Sequence, residues 1–449
     1  MTPEAHEAPR RLPRGFYLLL TGQVLSFTGS QVTLLALPLT AIKLHNAGPF
    51  ETGMLLACGR APYLLLGLIA GVLVDRCPHR VLLMTANTAM GLTLATVPLA
   101  AALHGNVGML HLYFVALLVG AATVVADVAF LACVPTVVPA AQLVQAQSRL
   151  ELGQSAAMVV GLPLTGWLIA TVSPPIAILA DAASFLLVTA VLPFVAMMPQ
   201  RAAPAITGQR GDSGAGGRRV LAEAAEGALF VLRTSRLRAV TLATGTLIFF
   251  YSAYSAVFLL YLTGALGLTA AEIGTVTGIA ALGAVAGSLL ARPAARALGL
   301  GRVLAVALLT SAVGAVLTPM LKEPGWLAAG LSQFLLWTGQ QVYNVHQVPI
   351  RYALTPPALH GRVNASIRTV VWGLASLGAL LGGTCGMWLD SRTTLLLSGA
   401  LIAAATAWIA GSPLWAVRAP QLAEAQATSA CTPAVSISHR QDMPHHEIH

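Results

Sequence analysis

Three charged side chains stand inside long apolar stretches of the sequence: Arg60, Asp127 and Asp181. A charge in a hydrocarbon environment is costly, so such residues mark ion or substrate pathways, or pair with one another. Either carboxyl group can bind and release a proton, which makes both candidates for proton coupling. Arg60 can hold an anionic substrate or pair with an acid. All three fall in the N-terminal half, so a buried network among them is feasible, and a structural ion pair is the alternative.

A second polar set follows a helical spacing near residue 340. Gln340, Asn344 and Gln347 share one helix face, with Arg351 one turn further. Because an unpaired amide in hydrocarbon costs roughly several kcal/mol, these groups must face protein or a water-filled cavity. His346, in the same stretch, can exchange protons near neutral pH and is a third proton-coupling candidate. Hydrogen bonding between helices is the alternative reading.

Further cavity candidates come from two other apolar stretches. Tyr251, Tyr254 and Phe258 lie at positions i, i+3 and i+7, on one helix face. Aromatic rings with polar tips suit a bulky amphipathic ligand, although ordinary packing or an interfacial belt would use the same residues. Gln23 and Gln31 supply matching amides in the first apolar stretch. We therefore expect Gln23, Gln31, Arg60 and these aromatic residues to line a substrate cavity.

A short polar loop combines an acid with two arginines. Gly71 permits close helix approach, and Asp75 stands where a helix N-terminus would favour a carboxylate. Arg76 and Arg80 can reach Asp75, lipid headgroups or another part of the molecule. The functional hypothesis is a conformational latch formed by Gly71, Asp75, Arg76 and Arg80. The alternative is that the arginines serve only membrane topology.

The composition indicates which elements position these residues. Hydrophobic residues make up 56% of the 449 residues, charged residues 9%, and mean hydropathy is +0.77. A soluble protein is about 25% charged, so this chain cannot cover a soluble surface, and disorder requires low hydrophobicity. The class that remains is a polytopic membrane protein. The net charge of +9 then concerns topology and not nucleic acid.

Spanning a bilayer takes about 20 apolar residues per helix. Twelve stretches qualify, which predicts an all-α integral membrane protein with twelve transmembrane helices in two six-helix bundles. The predicted spans are 16–43, 53–74, 81–103, 109–137, 144–172, 175–198, 239–264, 271–291, 302–320, 326–353, 364–388 and 394–412. The predicted domains are a cytoplasmic N-terminus (1–15), an N-terminal bundle (16–198), a linker with an amphipathic helix (199–238), a C-terminal bundle (239–412) and a disordered tail (413–449).

The distribution of basic residues predicts orientation. If the N-terminus is cytoplasmic, 21 of the 25 Lys and Arg residues fall on cytoplasmic ends and loops. Only Lys43, Lys322 and Arg392 fall outside, and Arg60 falls within a helix. We therefore expect a multi-pass protein of the inner (cytoplasmic) membrane with both termini in the cytoplasm.

Two sequence echoes indicate that one six-helix unit was duplicated. Residues 71–81 and 287–303 share a Gly-x-x-x-Asp/Ala-Arg…Arg-Val pattern, and residues 139–149 resemble residues 356–368. The offsets between the paired motifs are nearly equal, at about 216 and 219 residues by direct count along the sequence. Internal repeats are typical of transporters whose halves rock about a central site.

The loop Gly71-Val72-Leu73-Val74-Asp75-Arg76-Cys77-Pro78-His79-Arg80 resembles the signature loop of the major facilitator superfamily, and the resemblance covers the full twelve-helix length. More narrowly, stretches 22–23 with 35–38, 60–64, 179–185 and 361–365 resemble the enterobactin-exporter-like and macrolide-efflux-like permeases. The resemblance implies proton-driven export of a small molecule. In the fifth span, Gly161, Pro163 and Gly166 match the antiporter motif, whereas Leu162 and Trp167 replace its glycines.

The combined reading is a secondary active transporter, exporting a small amphipathic molecule such as a drug, antibiotic, siderophore or secondary metabolite by alternating access. Its partners are the substrate, protons and the lipid bilayer; no nucleic acid, cofactor or metal is expected, and a monomer should suffice. The sequence contains no Walker-type nucleotide loop, His-Glu-x-x-His or Gly-x-Ser-x-Gly motif, so we predict that it is not an enzyme. An uptake or uniport permease is the first alternative, and an integral-membrane enzyme or lipid-handling protein the second.

Overall fold

The computed structural model describes residues 12–139, 142–195, 226–320, 325–356 and 359–416. Six long helices make up its N-terminal half. They are α1 (Arg14–His45), α2 (Pro49–Arg76), α3 (His79–His104), α4 (Met109–Val137), α5 (Leu143–Thr171) and α6 (Pro174–Val191). A 3₁₀ turn, Leu192–Phe194, follows α6.

The C-terminal half repeats this arrangement. Its helices are α7 (Ser235–Leu260), α8 (Ala270–Leu298), α9 (Leu300–Met320), α10 (Gly325–Leu354), α11 (His360–Leu389), α12 (Ser391–Ile402) and α13 (Ala405–Ala410). A π-helical turn, Tyr261–Ala265, continues α7. Helices α12 and α13 are separated by a two-residue turn and together cover the twelfth predicted span.

Within the described residues, each of the twelve predicted spans lies mainly in helix, and no strand is present. Within these residues, ten helices are long and apolar enough to cross a membrane. Helices α2 and α10 have the required length, with 28 and 30 residues, but are absent from that set of ten. α10 carries the amides noted above, which reduce its hydropathy. The predicted fold class, an all-helical membrane protein built from two bundles, is confirmed.

Helix packing shows the internal repeat. In the N-terminal half, α1 packs on α5 and α6, and α4 packs on α2 and α3, with α3 also against α6. Adding six to each number gives the observed partners in the C-terminal half: α7 on α11 and α12, α10 on α8 and α9, and α9 against α12. The two main contacts between halves, α2 with α11 and α5 with α8, are exchanged by the same rule. This pattern is what duplication of a six-helix unit predicts.

The two ends of the bundle differ. We call distal the end that carries the connections at 46–48, 105–108, 172–173, 266–269 and 390, and proximal the end where residues 12 and 416 lie. One buried apolar cluster joins both halves toward the distal end, through residues such as Leu39 and Leu55 with Val257 and Ile273. A second cluster, around Phe16, contains only N-terminal-half residues on the proximal side.

Glycines bring the helices of the two halves into backbone contact at the distal end. A Cβ atom added to Gly166 of α5 would lie 2.2 Å from the Cα of Gly274 of α8. On the other side of the molecule, a Cβ added to Gly53 of α2 would lie 2.7 Å from the Cα of Gly383 of α11. We call these contacts, with Pro49 against Gly386, the distal seam. At the two glycine pairs, only residues without a side chain permit the helix backbones to approach so closely.

The predicted amphipathic helix is seen in part. Residues 226–233 are helical and α7 begins at Ser235, inside the predicted linker. Val231 packs with Leu237, Val363 and Ile367 in a small proximal cluster, whereas Leu232 is exposed. Residues 199–225 of the predicted linker, and the predicted tail after residue 416, lie outside the described residues.

Candidate functional site

An ion pair joins the two halves near the middle of the molecule. A terminal guanidinium nitrogen of Arg368 on α11 lies 2.5 Å from Oδ2 of Asp127 on α4. The hydroxyl of Tyr63 on α2 donates to the same oxygen at 2.9 Å. The side chains of Asp127 and Arg368 are 36% and 40% exposed, so the ion pair is not sealed from its surroundings. It is therefore accessible to a proton.

Aromatic rings connect this pair to Arg60. The Tyr63 ring stacks on Trp372 of α11 with centroids 5.3 Å apart. The Arg368 guanidinium carbon lies 5.7 Å from the Tyr63 centroid, and that of Arg60 lies 5.4 Å from the Trp372 centroid. The aromatic stack thus has an arginine at each end. We call Arg60, Tyr63, Asp127, Arg368 and Trp372 the central cluster.

Arg60 reaches the other half directly. Its Nη1 donates to the hydroxyl of Ser252 on α7 at 3.2 Å. Ser252 is buried, whereas Arg60 is only partly so. Among the described residues, no carboxylate lies within ion-pair distance of Arg60. Arg60, a predicted cavity residue, therefore lies where the two halves meet.

Asp181 occupies a different environment, between α1 and α6 of one half. Its carboxylate accepts hydrogen bonds from Thr33 at 2.5 Å and from Ser184 at 3.3 Å. The residue is 1% exposed, and Gly29 packs directly against its Oδ1 atom. Hydroxyl groups and not cations surround Asp181 in the described structure. Asp181 is therefore shielded, whereas the side chain of Asp127 is partly exposed.

Arg60, Asp127 and Asp181 do not form one network in the described part of the chain. Asp127 pairs with Arg368 across the halves, Arg60 contacts Ser252 and Trp372, and Asp181 has its own hydroxyl partners. Sequence order placed all three charges in one half, but α2 packs on α11 of the other half and Asp127 of α4 reaches Arg368 there, whereas α6 packs on α1 and α3. The ionic partner of Asp127 lies 241 residues away along the chain.

The polar residues of α10 do not form one uniform lining. Gln340 and Gln347 are buried, whereas Asn344 is exposed. The imidazole Nε2 of His346 lies 3.0 Å from the carbonyl of Ala291 on α8, a contact between helices. Arg351 donates to the hydroxyl of Thr244 on α7 at 3.0 Å. Of the predicted set, Asn344 is the exposed member, and the others pack largely within the C-terminal half.

The three aromatic residues predicted to share a face of α7 have different environments in the structure. Tyr254 is 1% exposed, and its hydroxyl donates to Thr318 of α9 at 2.8 Å and accepts from Gln333 of α10 at 2.7 Å. Phe258 stacks on Tyr254, with centroids 5.4 Å apart. Tyr251 is partly buried and meets Trp337 edge-on at 6.0 Å. Tyr254 belongs to a hydrogen-bonded core of the C-terminal half and not to a cavity wall, because its hydroxyl finds partners there.

The amides predicted in α1 lie within the N-terminal half. Gln23 borders a cavity of about 20 Å³ between α1, α3, α4 and α6. That volume holds about one water molecule and no organic substrate. Gln31 is buried, and its side-chain amide donates to the carbonyl of Phe27 at 3.3 Å. Neither residue contacts the central cluster in the described structure.

The predicted helix-five motif lies where α5 meets its neighbours. Gly161 faces α1, where an added Cβ would lie 3.1 Å from Gln31. Pro163 fills the space beside Gly278 of α8, and Gly166 meets Gly274. Two of the three motif residues therefore contribute to contact between the halves.

The predicted latch is described only in part. For Gly71, Asp75 and Arg76 the structure describes the helical backbone alone, and Arg80 is partly buried.

A cavity of about 790 Å³ opens on the distal face of the C-terminal half. Its charged residues serve the local helix ends. Glu272 forms a capping box with Thr269 at the start of α8, and Asp390 caps α12 by accepting from the backbone of Thr393. Arg392 donates to the carbonyl of Pro319. The acids of this cavity are already engaged in capping, so we place the candidate site at the central cluster.

Three residues of the central cluster escaped sequence reasoning: Tyr63, Arg368 and Trp372. Arg368 counted among the basic residues at cytoplasmic ends, although it lies within the predicted span 364–388 and is an intramembrane charge by the same criterion as Asp127. Helical spacing offered a further signal. Tyr63 follows Arg60 by three residues, and Trp372 follows Arg368 by four, so each pair shares a helix face.

Solved structures similar to this one are transporters. A bacterial homologue of the human lysosomal transporter Spinster, in an inward-facing occupied conformation, has a TM-score of 0.67 and 13% identity over 88% of this chain and 95% of its own. The nucleoside transporter NupG has a TM-score of 0.66 and 11% identity over 90% and 100%. An inward-facing bacterial homologue of the iron transporter ferroportin has a TM-score of 0.63 and 16% identity over 88% and 100%. At these identities the likeness concerns the fold.

By sequence, no curated protein matches the chain. The sequence model described as Major Facilitator Superfamily matches residues 19–260, more than half of the chain. The match agrees with the twelve spans, the duplicated packing and the transporter neighbours. These features describe a multi-pass membrane transporter and not an enzyme, and the chain belongs to the Major Facilitator Superfamily.

Proposed function

We propose that this transporter exports a small amphipathic molecule, such as a drug, antibiotic, siderophore or secondary metabolite, in exchange for protons by alternating access. One observation carries the proposal. The two halves meet through backbone contacts at the distal seam, while Asp127 and Arg368 remain partly exposed between them. A closed end beside an accessible ion pair is what one of two alternating states requires.

Asp127 is the proposed proton carrier. Its carboxylate holds Arg368 of the opposite half, so uptake of a proton on Oδ2 removes the charge that attracts the guanidinium. Weakening this link lets the halves rotate, and release of the proton restores it. Asp181 suits this role less, because it is buried within one half and contacts no residue of the other. His346 also lies within one half, beside Ala291.

We also propose an orientation in the membrane and a monomeric state for the transporter. The excess of Arg at the proximal end supports cytoplasmic termini and a location in the inner membrane. The proximal side would then be the cytoplasmic side, from which an exported substrate enters. Gly71, Asp75, Arg76 and Arg80 are proposed as a proximal latch that holds the opposite state. A monomer contains both halves and suffices for this cycle.

Transport assays test direction and coupling. Everted membrane vesicles containing the full chain should accumulate substrates from a panel of amphipathic compounds when a pH gradient is imposed, and should lose this accumulation when the gradient is collapsed. Accumulation that persists without the gradient would contradict proton coupling. Accumulation in right-side-out vesicles instead would favour the uptake alternative.

Cross-linking tests alternating access separately from substrate. A Cβ added to Gly386 of α11 would lie 2.7 Å from the Cβ of Pro49 of α2, close enough for a short cross-link after slight relaxation. The double variant Pro49→Cys and Gly386→Cys, with native cysteines replaced, should stop transport when oxidised and recover on reduction. Transport that continues in fully cross-linked protein would contradict opening at the distal seam.

A further inference from the structure

The central cluster carries an excess positive charge. The cluster contains two guanidinium groups, Arg60 and Arg368, and a single carboxylate, Asp127, which is bound by Arg368. Arg60 has one hydrogen bond to a neutral partner, the Ser252 hydroxyl, out of the five N–H donors of a guanidinium. Within the described part of the chain, Arg60 therefore lacks a counter-charge near the membrane centre. Such a cation is costly unless an anion meets it.

The surroundings of Arg60 define what kind of anion fits. Trp372 presents its ring to the guanidinium at 5.4 Å, and Tyr63 extends that aromatic surface by stacking at 5.3 Å. A guanidinium binds a planar carboxylate through two parallel hydrogen bonds, which a point charge cannot match. The adjoining rings can pack against a flat apolar body. A simple inorganic anion would use only the charge.

We propose that the substrate of this transporter is an organic anion, an aromatic or similarly flat carboxylate, whose acidic group binds Arg60 and whose ring packs beside Trp372. This inference rests on the proposed transport function and specifies its substrate class. Arg368 is held by Asp127 at the other end of the aromatic stack, so Arg60 is the guanidinium that is free to bind the anion.

The test compares matched probes on the purified full-length protein. Naphthoate and indole-3-acetate are the anionic probes, and their primary amides are the neutral ones. Binding is measured by the shift in thermal unfolding temperature with ligand concentration. Wild type should bind the carboxylates at least about tenfold more tightly than the amides, because a charge-assisted bidentate pair is lost in the amide.

Variants assign this preference to Arg60. Arg60→Gln should abolish the preference for carboxylates, and Arg60→Lys should retain only part of it, because a lysine keeps the charge but lacks the planar fork. Arg296→Gln, which removes an exposed proximal charge, should leave it unchanged. If Arg60→Gln fails to fold, Ser252→Ala and Trp372→Leu should each weaken carboxylate binding in a protein whose charge is intact.

Three results would overturn the assignment: amides that bind as well as carboxylates, no carboxylate binding at all, or an undiminished carboxylate preference in Arg60→Gln. None of them affects the cross-linking of Pro49→Cys with Gly386→Cys or its effect on transport. Alternating access would then stand with a different substrate class. Conversely, carboxylate binding without gradient-driven accumulation would support the anion site and contradict coupled export.

Discussion

Arg368 of α11 and Asp127 of α4 form an ion pair that fastens the C-terminal half of the molecule to the N-terminal half. The pair is not sealed in a core, because more than a third of each side chain is exposed. A partly hydrated pair contributes less to stability than a dry one, and removing one partner leaves the other charge unmatched. Such a link is suited to being made and broken during a cycle.

Replacement of Asp127 by Asn should therefore uncouple transport. The amide cannot take up a proton and gives Arg368 no counter-charge, so accumulation driven by a pH gradient should fall by roughly tenfold or more. Asp181→Asn is the matched control, because its hydroxyl partners tolerate an amide and it contacts no residue of the other half; it should keep most activity. Equal loss in both variants would remove the distinction drawn between the two acids.

The distal seam should not tolerate a side chain at its closest point. In Gly166→Val, the added atoms would collide with the backbone of Gly274, so the distal end should fail to close. Disulfide formation between Pro49→Cys and Gly386→Cys, followed by gel mobility, should then drop several-fold. Gly264→Val is the control, because nothing lies within 4 Å of an added Cβ there. Unchanged cross-linking in Gly166→Val would mean that the two sides of the seam close independently.

The buried hydroxyl of Tyr254 should stabilise the C-terminal half. Tyr254→Phe removes a donor to Thr318 and an acceptor for Gln333 in a site that is 1% exposed. We expect a loss of about 1–3 kcal/mol, seen as a lower thermal unfolding temperature of the detergent-purified protein. Tyr17→Phe, at an exposed ring, should cause no comparable shift. An unchanged unfolding temperature for Tyr254→Phe would show that water or Thr318 replaces the lost partner.

Asp390 caps a helix from an unusual backbone conformation. Its φ angle of 71° is unusual for a residue with a side chain, and its carboxylate caps α12 at the backbone of Thr393. Asp390→Ala should cost about 1–2 kcal/mol in thermal unfolding, because alanine cannot cap the helix. Asn keeps a capping oxygen, so Asp390→Asn should stay close to wild type. Similar losses in the two variants would point to the charge and not to the cap.

The sequence predicted the fold well for a physical reason. Apolar length is a local property, and each run of about 20 residues reports a span without reference to any other. The polar breaks between runs, such as the one around Asp75, were equally local. The echoes between residues 71–81 and 287–303 predicted the repeat that helix packing shows. Helices α2 and α10 are absent from the ten that meet the spanning criteria, and in α10 the amides reduce hydropathy while the length still spans.

The site was harder to predict, because its partners meet only when the two halves pack together. Asp127 was found from its cost in hydrocarbon, but nothing along the chain indicates that its partner is Arg368. The spacing of the aromatic residues on α7 predicted that they share a face, but not which way that face turns. Tyr254 turns into hydrogen bonds with α9 and α10, a choice that depends on Thr318 and Gln333.

The distal seam has a consequence for the speed of the cycle. Where Gly53 meets Gly383 and Gly166 meets Gly274, almost no side chain stands between the helices. Separation at these glycines requires no rotamer to change, since the backbone groups stay bonded within their own helices. The apolar cluster that joins the halves beside them, through residues such as Leu55 and Val257, must be uncovered as this end opens. The barrier to opening should thus reside in that apolar contact and not in the glycine pairs, so its height should follow the size of the apolar side chains there.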